Sequence, residues 1–429
     1  MFRRFTSWLR SSFLAQITLV AFLGLLWRIF YIQCEGRRIF FTDESWYVIQ
    51  AQRLVTGHPW TDAAYFSLQP SAAHGPITSM LMAPFAWIFP HSSIGLRPVM
   101  AVVGSMVVVA IGLLGRQLLS PRVGLIAAII AAVYPGLWIR DGLVVSEPIT
   151  ILILIGLVSV GYRQLEKASL PLSALMGGLL GLIALARSET LLLAFLFAVP
   201  IVVVAYRRLG ASWPKALLAL LLTGVVSMAV MAPWVAYNQG RFTHSVLLSN
   251  NLGHTLAGGY CGKSFYGSQI GYDSFDCANK AEAAARLKSK DETVISGIER
   301  KQALSFASHH LSRIPLVMLM REAWMIGLYH PEYVVASSVT MRQQTWATWL
   351  DWVGFLTLIP LAIFGFLEAR RRHLTRWPLV MLIVNTIMTT AMFYGHWRYR
   401  LTASLAMILF AALAIDALLT RRQSRQTPS

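Results

Sequence analysis

Acidic side chains are scarce in this chain of 429 residues: 19 Asp and Glu stand against 37 Lys and Arg, for a formal net charge of +18. Charge of either sign is sparse too, at 13% of residues, where soluble domains average about 25%. An ordinary solvated surface is therefore excluded. Cysteine is nearly absent, with three in all, and two of them without convincing His spacing make a poor zinc site. No internal repeat is visible, and no low-complexity segment apart from the polar tail after Thr420. No small-residue cleavage site follows the first apolar run, Ser11–Trp27; Arg28 and Phe30–Tyr31 come instead. That run reads as a retained helix rather than a removed signal peptide.

What the chain has is apolar sequence. Hydrophobic residues make up 56% of it, the mean hydropathy is +0.58, and runs long enough for roughly 20-residue spans recur. The pattern predicts an all-α integral membrane protein of about ten transmembrane helices, near 12–32, 98–115, 123–139, 143–162, 172–187, 189–206, 216–235, 350–369, 377–394 and 400–420. The excess of positive charge invites a nucleic-acid reading, but its distribution argues against one. Arg and Lys gather in short loops: Arg116 and Arg122; Arg163 and Lys167; Arg207, Arg208 and Lys215; Arg370, Arg371, Arg372 and Arg376; Arg421, Arg422 and Arg425. With Arg3, Arg4 and Arg10 at the N-terminus inside, ten spans put every cluster inside, as the positive-inside rule requires. Both termini are then cytoplasmic. Pro76–Phe89 is too short to span and is assigned to the outer surface, since counting it as a span would invert every later loop. The helix after Asp43 is also interfacial, stopping at Gly57 and Pro59. The chain thus divides into a transmembrane module (1–236) containing a first outer loop (33–97), an outer segment (237–349), and C-terminal helices with a short tail (350–429).

This topology gathers charges of both signs at the outer helix ends: Asp43, Glu44, His74, Arg97, Arg140, Asp141, Glu147, Arg187, Glu189, His396, Arg398 and Arg400. A catalytic or transport cavity has a use for such a set, and about half are expected to line one. Asp43 and Glu44, adjacent in FTDESWYVIQAQRLVTGHPW, also suit a helix start, where acids favour the macrodipole. Asp141 adjoins Arg140 and is expected to pair with it.

The polar segment 237–349 begins rich in Gly, Asn, Ser and Tyr, continues as a charged helical stretch at about Asn279–His310, and ends in the amphipathic LSRIPLVMLMREAWMIGLYHP. It contains Cys261 and Cys277, which outside the cell read as a disulfide, leaving Cys34 as a free thiol.

Transfer of a sugar from a lipid phosphate to a hydroxyl needs these residue types. An Asp or Glu takes the acceptor proton, and Arg, Lys or His stabilises the leaving phosphate. The acids are Asp43, Glu44 and Glu147; the cations are His74, Arg187, Arg398 and Arg400. Outside the cell no nucleotide sugar is available, so a polyprenyl-phosphate donor in the bilayer is the logical partner.

The order of the motifs resembles the GT-C superfamily of membrane glycosyltransferases, of the protein O-mannosyltransferase and lipid A aminoarabinose transferase type. The similarity runs over most of the chain. An acidic pair with an aromatic soon after comes first (Asp43, Glu44, Tyr47), then a (K/H)-x-P-like turn (His74, Gly75, Pro76). Ser146–Glu147–Pro148 opens the fourth span, and Leu185, Arg187, Ser188 and Glu189 join the fifth and sixth. Pro233–Trp234 precedes the long outer segment, and Arg398–Tyr399–Arg400–Leu401 opens the final span. Each motif is weak alone; the ordered set is fairly specific.

The resemblance implies a polyprenyl-phosphate-dependent hexosyl or pentosyl transferase in the plasma membrane, its site extracytoplasmic. Asp43 would be the base, Glu44 its assistant and Glu147 a second acid. Arg187, Arg398 and Arg400 would hold the phosphate, with Tyr47 and Tyr399 contacting substrate. His74 takes the place of a lysine in some relatives, and a neutral histidine is the weaker phosphate clamp. Lipid, polysaccharide and protein acceptors are all open. No cofactor and no metal site are predicted, because the sequence shows no compact carboxylate cluster of the kind a divalent ion prefers; the relatives differ on metals, and a divalent cation stays open. The rival reading is a flippase or transporter of the lipid-linked sugar, which would usually show repeated halves and paired broken helices.

Overall fold

A computed structural model describes residues 12–35, 43–62, 67–89, 93–340 and 343–426. Among them every regular element is helical, apart from one bridge between Thr61 and Pro70. Helix α1 (Phe13–Glu35) is followed by two shorter helices, α2 (Asp43–Thr56) and α3 (Ile77–Ile88). Then come α4 (Ser93–Leu118), α5 (Pro121–Val133), α6 (Pro135–Asp141), α7 (Glu147–Glu166), α8 (Leu170–Ala186), α9 (Val199–Arg208) and α10 (Trp213–Asn238). The polar segment holds α11 (Leu252–Gly259), α12 (Gly262–Phe265), α13 (Phe275–Arg286), α14 (Glu292–His309), α15 (Ile314–Ile326) and α16 (Pro331–Thr340). Helices α17 (Thr345–Arg371), α18 (Trp377–Met392) and α19 (Leu401–Gln426) close the fold. The N-terminal arginines, Arg3, Arg4 and Arg10, lie outside the described residues.

Seven helical stretches are long and apolar enough to cross a membrane, and the bent pair α5–α6 makes eight if it is one span. The chain is a multi-pass membrane protein. Two further apolar helices, α8 and α18, have 17 and 16 residues. The span expected at 123–139 is not straight: it breaks at Tyr134 and turns by 56°. Pro135 opens the second piece; it has no N–H to continue the ladder, and its ring crowds the preceding turn. The run at Pro76–Phe89 folds as the 12-residue α3, too short to span.

The bundle packs around α19, whose most apolar window is 83% buried, whereas that of α10 is only 22% buried. Leu217, Leu218, Leu221, Val225 and Met228 of α10 are exposed, an apolar face that suits lipid and not water. Its other face meets α8 closely: a Cβ on Gly177 would overlap the Thr223 carbonyl, and one on Gly181 would lie 2.7 Å from the Ser227 carbonyl. Two glycines four apart thus let the backbones touch, as small-residue motifs do between helices in membranes.

An ion pair of α1 is sealed inside the bundle. Arg28 Nε donates to Asp141 Oδ2 at 2.6 Å, with both side chains buried. This overturns the expected Arg140–Asp141 pairing: the neighbours point apart.

In the polar segment the expected single charged helix is two, α13 and α14. The second restarts at Asp291, whose carboxylate accepts from Thr293 N at 2.7 Å and caps the new helix. Cys261 and Cys277 are joined by a disulfide, and Cys34 is free and exposed.

Candidate active site

Two adjoining cavities, of about 630 and 670 Å³, share Asp43, His74 and Arg398 on their walls. Nine of the twelve charged groups expected at the outer helix ends line one or both; Arg97, Asp141 and Arg400 do not.

Arg398 is the centre of the arrangement. Its Nη2 lies 2.8 Å from Asp43 Oδ2, and its Nε lies 2.7 Å from Glu147 Oε1. The same Glu147 oxygen takes Arg187 Nη1 at 3.0 Å, and Arg187 Nε donates to Glu189 at 2.6 Å. The network runs Asp43–Arg398–Glu147–Arg187–Glu189. Four of the five stand at helix ends: Asp43 opens α2, Glu147 opens α7, Arg187 follows α8, and Arg398 precedes α19; Glu189 lies in the 3-10 turn Ser188–Leu191. Backbone amides unpaired at the start of α7 favour a carboxylate there.

Local structure explains why Arg398 reaches the cavity and Arg400 does not. Residues Trp397–Arg400 form one 3-10 turn, in which positions i and i+3 share a face and i+1 does not. Trp397 and Arg400 therefore point together. Trp397 Nε1 donates to the Trp324 carbonyl at 2.9 Å, and Arg400 Nε donates to the Met325 carbonyl at 2.6 Å. Arg400 also stacks on Phe355, 4.0 Å from the ring centre. Arg398 is left facing the other way, and His396 Nδ1 accepts from its backbone N–H at 3.1 Å.

Glu44 lies on the wall of the second cavity but is engaged behind it. Arg97 grips both its oxygens, at 2.7 and 2.8 Å, and Val144 N donates to it at 3.2 Å. Such a bidentate pair orients the start of α2. Tyr47 and Tyr399 both line the first cavity. His74 is held between rings, 5.0 Å from Trp46 and 5.2 Å from Tyr47. A Cβ on the following Gly75 would overlap the Leu185 carbonyl, so only glycine lets this turn sit against the end of α8. That contact brings His74 near Arg187.

The electrostatics separate the groups. Burial works against ionisation of Asp43, yet Arg398 and then His74 outweigh it and hold the carboxyl at about 2. The side chain keeps 36% of its surface open to the cavity, so the charge is partly solvated as well as paired. The His74 Nε2 atom lies 3.8 Å from Asp43 Oδ1. Burial lowers the His74 pKa, and Arg398 and Arg187 add to the effect against Asp43.

Two features escaped the sequence, and a third, Arg140, was expected in the charge set but paired with Asp141. Arg140 lines the second cavity and makes no side-chain hydrogen bond or ion pair among the described residues. Asp273, from the glycine-rich GYDSFD stretch, lines both cavities. Burial pushes its carboxyl up to about 7, against the pull of His254 and Arg398. Lastly, His254, Glu282 and Glu299 come together with ligand atoms within 4.8 Å of one another. This corrects the expectation that no compact carboxylate cluster exists, since α11, α13 and α14 bring the three from distant positions. One imidazole and two carboxylates can hold a divalent cation. They also satisfy one another, His254 Nδ1 lying 3.4 Å from Glu299 and 3.5 Å from Glu282, while Arg286 Nε takes the other Glu282 oxygen at 2.8 Å.

No protein-family model matches the sequence, and no curated protein does. Solved structures do. The oligosaccharyltransferase of Archaeoglobus fulgidus in its apo form aligns with a TM-score of 0.57 at 15% identity, over 97% of this chain and 51% of that one. This chain has a GT-C fold. The A. fulgidus enzyme AglB in complex with an inhibitory peptide and a dolichol-phosphate aligns with a TM-score of 0.56 at 15% identity, over 98% of this chain and 52% of that one. ArnT from Cupriavidus metallidurans bound to undecaprenyl phosphate gives a TM-score of 0.42 at 13% identity, over 96% and 78%, too low to argue from. The chain spans about half the length of the oligosaccharyltransferase chains it matches.

Proposed function

We propose that this protein transfers a hexosyl or pentosyl group from a polyprenyl-phosphate donor to an acceptor hydroxyl at the extracytoplasmic face of the plasma membrane. The observation that carries this reading is Arg398 bridging Asp43 and Glu147 in a cavity at the ends of membrane helices. The fold shared with an enzyme solved with a dolichol-phosphate supports the lipid-borne donor. Ten spans with both termini cytoplasmic is the topology that agrees with the arginine clusters.

In this reading the acceptor oxygen attacks the anomeric carbon, the carbon–oxygen bond to the phosphate breaks, and the acceptor proton passes to Asp43. The polyprenyl phosphate leaves with the bonding electrons. Arg398, Arg187 and His74 face the phosphate; Arg400, held at the Met325 carbonyl, positions the turn that presents Arg398. A carboxylate at about 2 is a weak base, and the geometry offers a remedy. A donor phosphate that engages Arg398 draws the cation away from Asp43 and so raises its basicity when the substrate is in place. Glu147 Oε2 is buried without a hydrogen-bond partner and suits a substrate hydroxyl.

The test is a labelled polyprenyl-phosphate sugar supplied to purified protein in vesicles with an extract of envelope acceptors. Release of free polyprenyl phosphate with labelled acceptor supports the transferase. Movement of intact lipid across the bilayer without release would instead establish a flippase.

A further inference from the structure

We propose that Arg140 and Gln343 form a phosphate-binding subsite in the second cavity. The inference deepens the transferase reading and rests on its polyprenyl-phosphate donor.

Phosphate recognition needs donors that the protein has not already used. The arginines named from sequence fail that requirement in part. Arg398 is neutralised by two carboxylates at 2.8 and 2.7 Å, and Arg187 by Glu147 and Glu189. The third arginine on the wall of the second cavity, Arg286, pairs with Asp62 at 3.3 Å and Glu282 at 2.8 Å. Arg140 differs from all of these. It lines that cavity half-buried, and its guanidinium has no hydrogen bond or ion pair among the described residues. The acid beside it in sequence is turned away, Asp141 being committed to Arg28 at 2.6 Å.

A second, independent group points the same way. Gln343 lines the same cavity, is 5% exposed, and leaves Nε2 buried without a hydrogen-bond partner among the described residues. A buried amide donor left unpaired is destabilising, and a ligand acceptor in the cavity would satisfy it. A forked guanidinium and an amide N–H opening on one cavity suit a phosphate, which presents several acceptor oxygens. Arg398 and Asp43 line this cavity as well.

The experiment uses the full chain in nanodiscs, with decaprenyl phosphate as probe, decaprenol as the uncharged control and inorganic phosphate as competitor. Wild type should bind decaprenyl phosphate and prefer it to decaprenol. Arg140→Gln should weaken that binding by about 10- to 100-fold, the size of one charge-assisted contact. Arg140→Lys should recover part of the loss, keeping the charge without the fork. Gln343→Leu should weaken binding by about tenfold at most. Arg300→Gln, at an exposed arginine on the first cavity, should change it by less than about twofold. The thermal midpoint of Arg140→Gln should stay close to wild type, because among the described residues the side chain makes no hydrogen bond or ion pair and meets Glu147 and Asp351 only at longer range. Competition by inorganic phosphate in wild type but not in Arg140→Gln would show a subsite for phosphate itself; a lipid-affinity loss without competition would show one for lipid-borne phosphate. Unchanged decaprenyl phosphate affinity in Arg140→Gln overturns the subsite and leaves the transferase reading standing. A wild type that binds decaprenyl phosphate no better than decaprenol overturns that reading, and the subsite with it.

Discussion

Arg28 and Arg398 both sit within 2.8 Å of a carboxylate, yet their surroundings have nothing else in common. Around Arg28 everything is protein: Asp141 takes Nε, and the Gly24 and Ala132 carbonyls accept from Nη1 at 3.1 and 3.4 Å, with no exposed surface. Arg398 keeps 20% of its surface open, divides itself between two acids, and faces a cavity. The first arrangement is closed and ties α1 to both arms of the bent pair α5–α6. The second is over-supplied with charge and open on one side, as expected of groups that exchange protein partners for a substrate. Ion pairing alone does not mark a functional site; an ion pair with room beside it is the more informative feature.

The comparison is broken most severely at Asp43. Asp43→Asn should fold and insert as wild type does, and lose about 100- to 10,000-fold in turnover if the residue is a general base. Near-normal turnover at normal expression would contradict the assignment. The sealed pair should respond in the opposite sense. Arg28→Ala leaves Asp141 buried without its cation, which costs about 3–5 kcal/mol. Denaturation in detergent should reveal that loss, while turnover per folded molecule stays close to wild type. An Arg28→Ala protein of normal stability would mean that the bend holds without the pair.

The disulfide is the next largest effect. Cys261 and Cys277 are 16 residues apart, and closing a loop of that length stabilises by about 3 kcal/mol in the chain-entropy model. Cys261→Ser and Cys277→Ser should be destabilised alike, with the double variant no worse than either. Peptide mapping of unreduced protein from its own membrane should recover the two as one linked species.

The smallest effect sharpens the cavity side. Asp273 and Glu292 are both pushed up to about 7, burial being the main cause in each. Both hold their protons more tightly folded than unfolded, so the stability they contribute is full below the ordinary carboxyl range and is lost as pH rises through about 7. The thermal midpoint should therefore fall between about pH 5 and pH 8, and Asp273→Asn with Glu292→Gln should flatten that slope. Asp43, held at about 2, should contribute no titration over that range in the free protein.

Much of this was legible in sequence because membrane helices announce themselves. Apolar length located the seven or eight stretches that can cross a membrane, and the 12-residue α3 was recognisable as too short to be one. The acids and arginines at helix ends were visible for the same reason, since charge beside such runs is conspicuous. What sequence did not carry was direction. Arg398 and Arg400 are two apart and chemically identical, and only the 3-10 turn separates the cavity face from the packed face. Asp141 adjoins Arg140, and only the break at Tyr134–Pro135 shows that it turns to Arg28 instead. His254, Glu282 and Glu299 lie on three helices of a polar segment without apolar periodicity, so nothing local signals their meeting.

Turnover of a labelled polyprenyl-phosphate sugar tests the central claim most directly. Wild-type protein in vesicles, supplied with envelope acceptors, should release polyprenyl phosphate and label the acceptor in step, and Asp43→Asn of equal stability should do neither. Equal release by wild type and Asp43→Asn, or labelled lipid carried across intact by both, would contradict it.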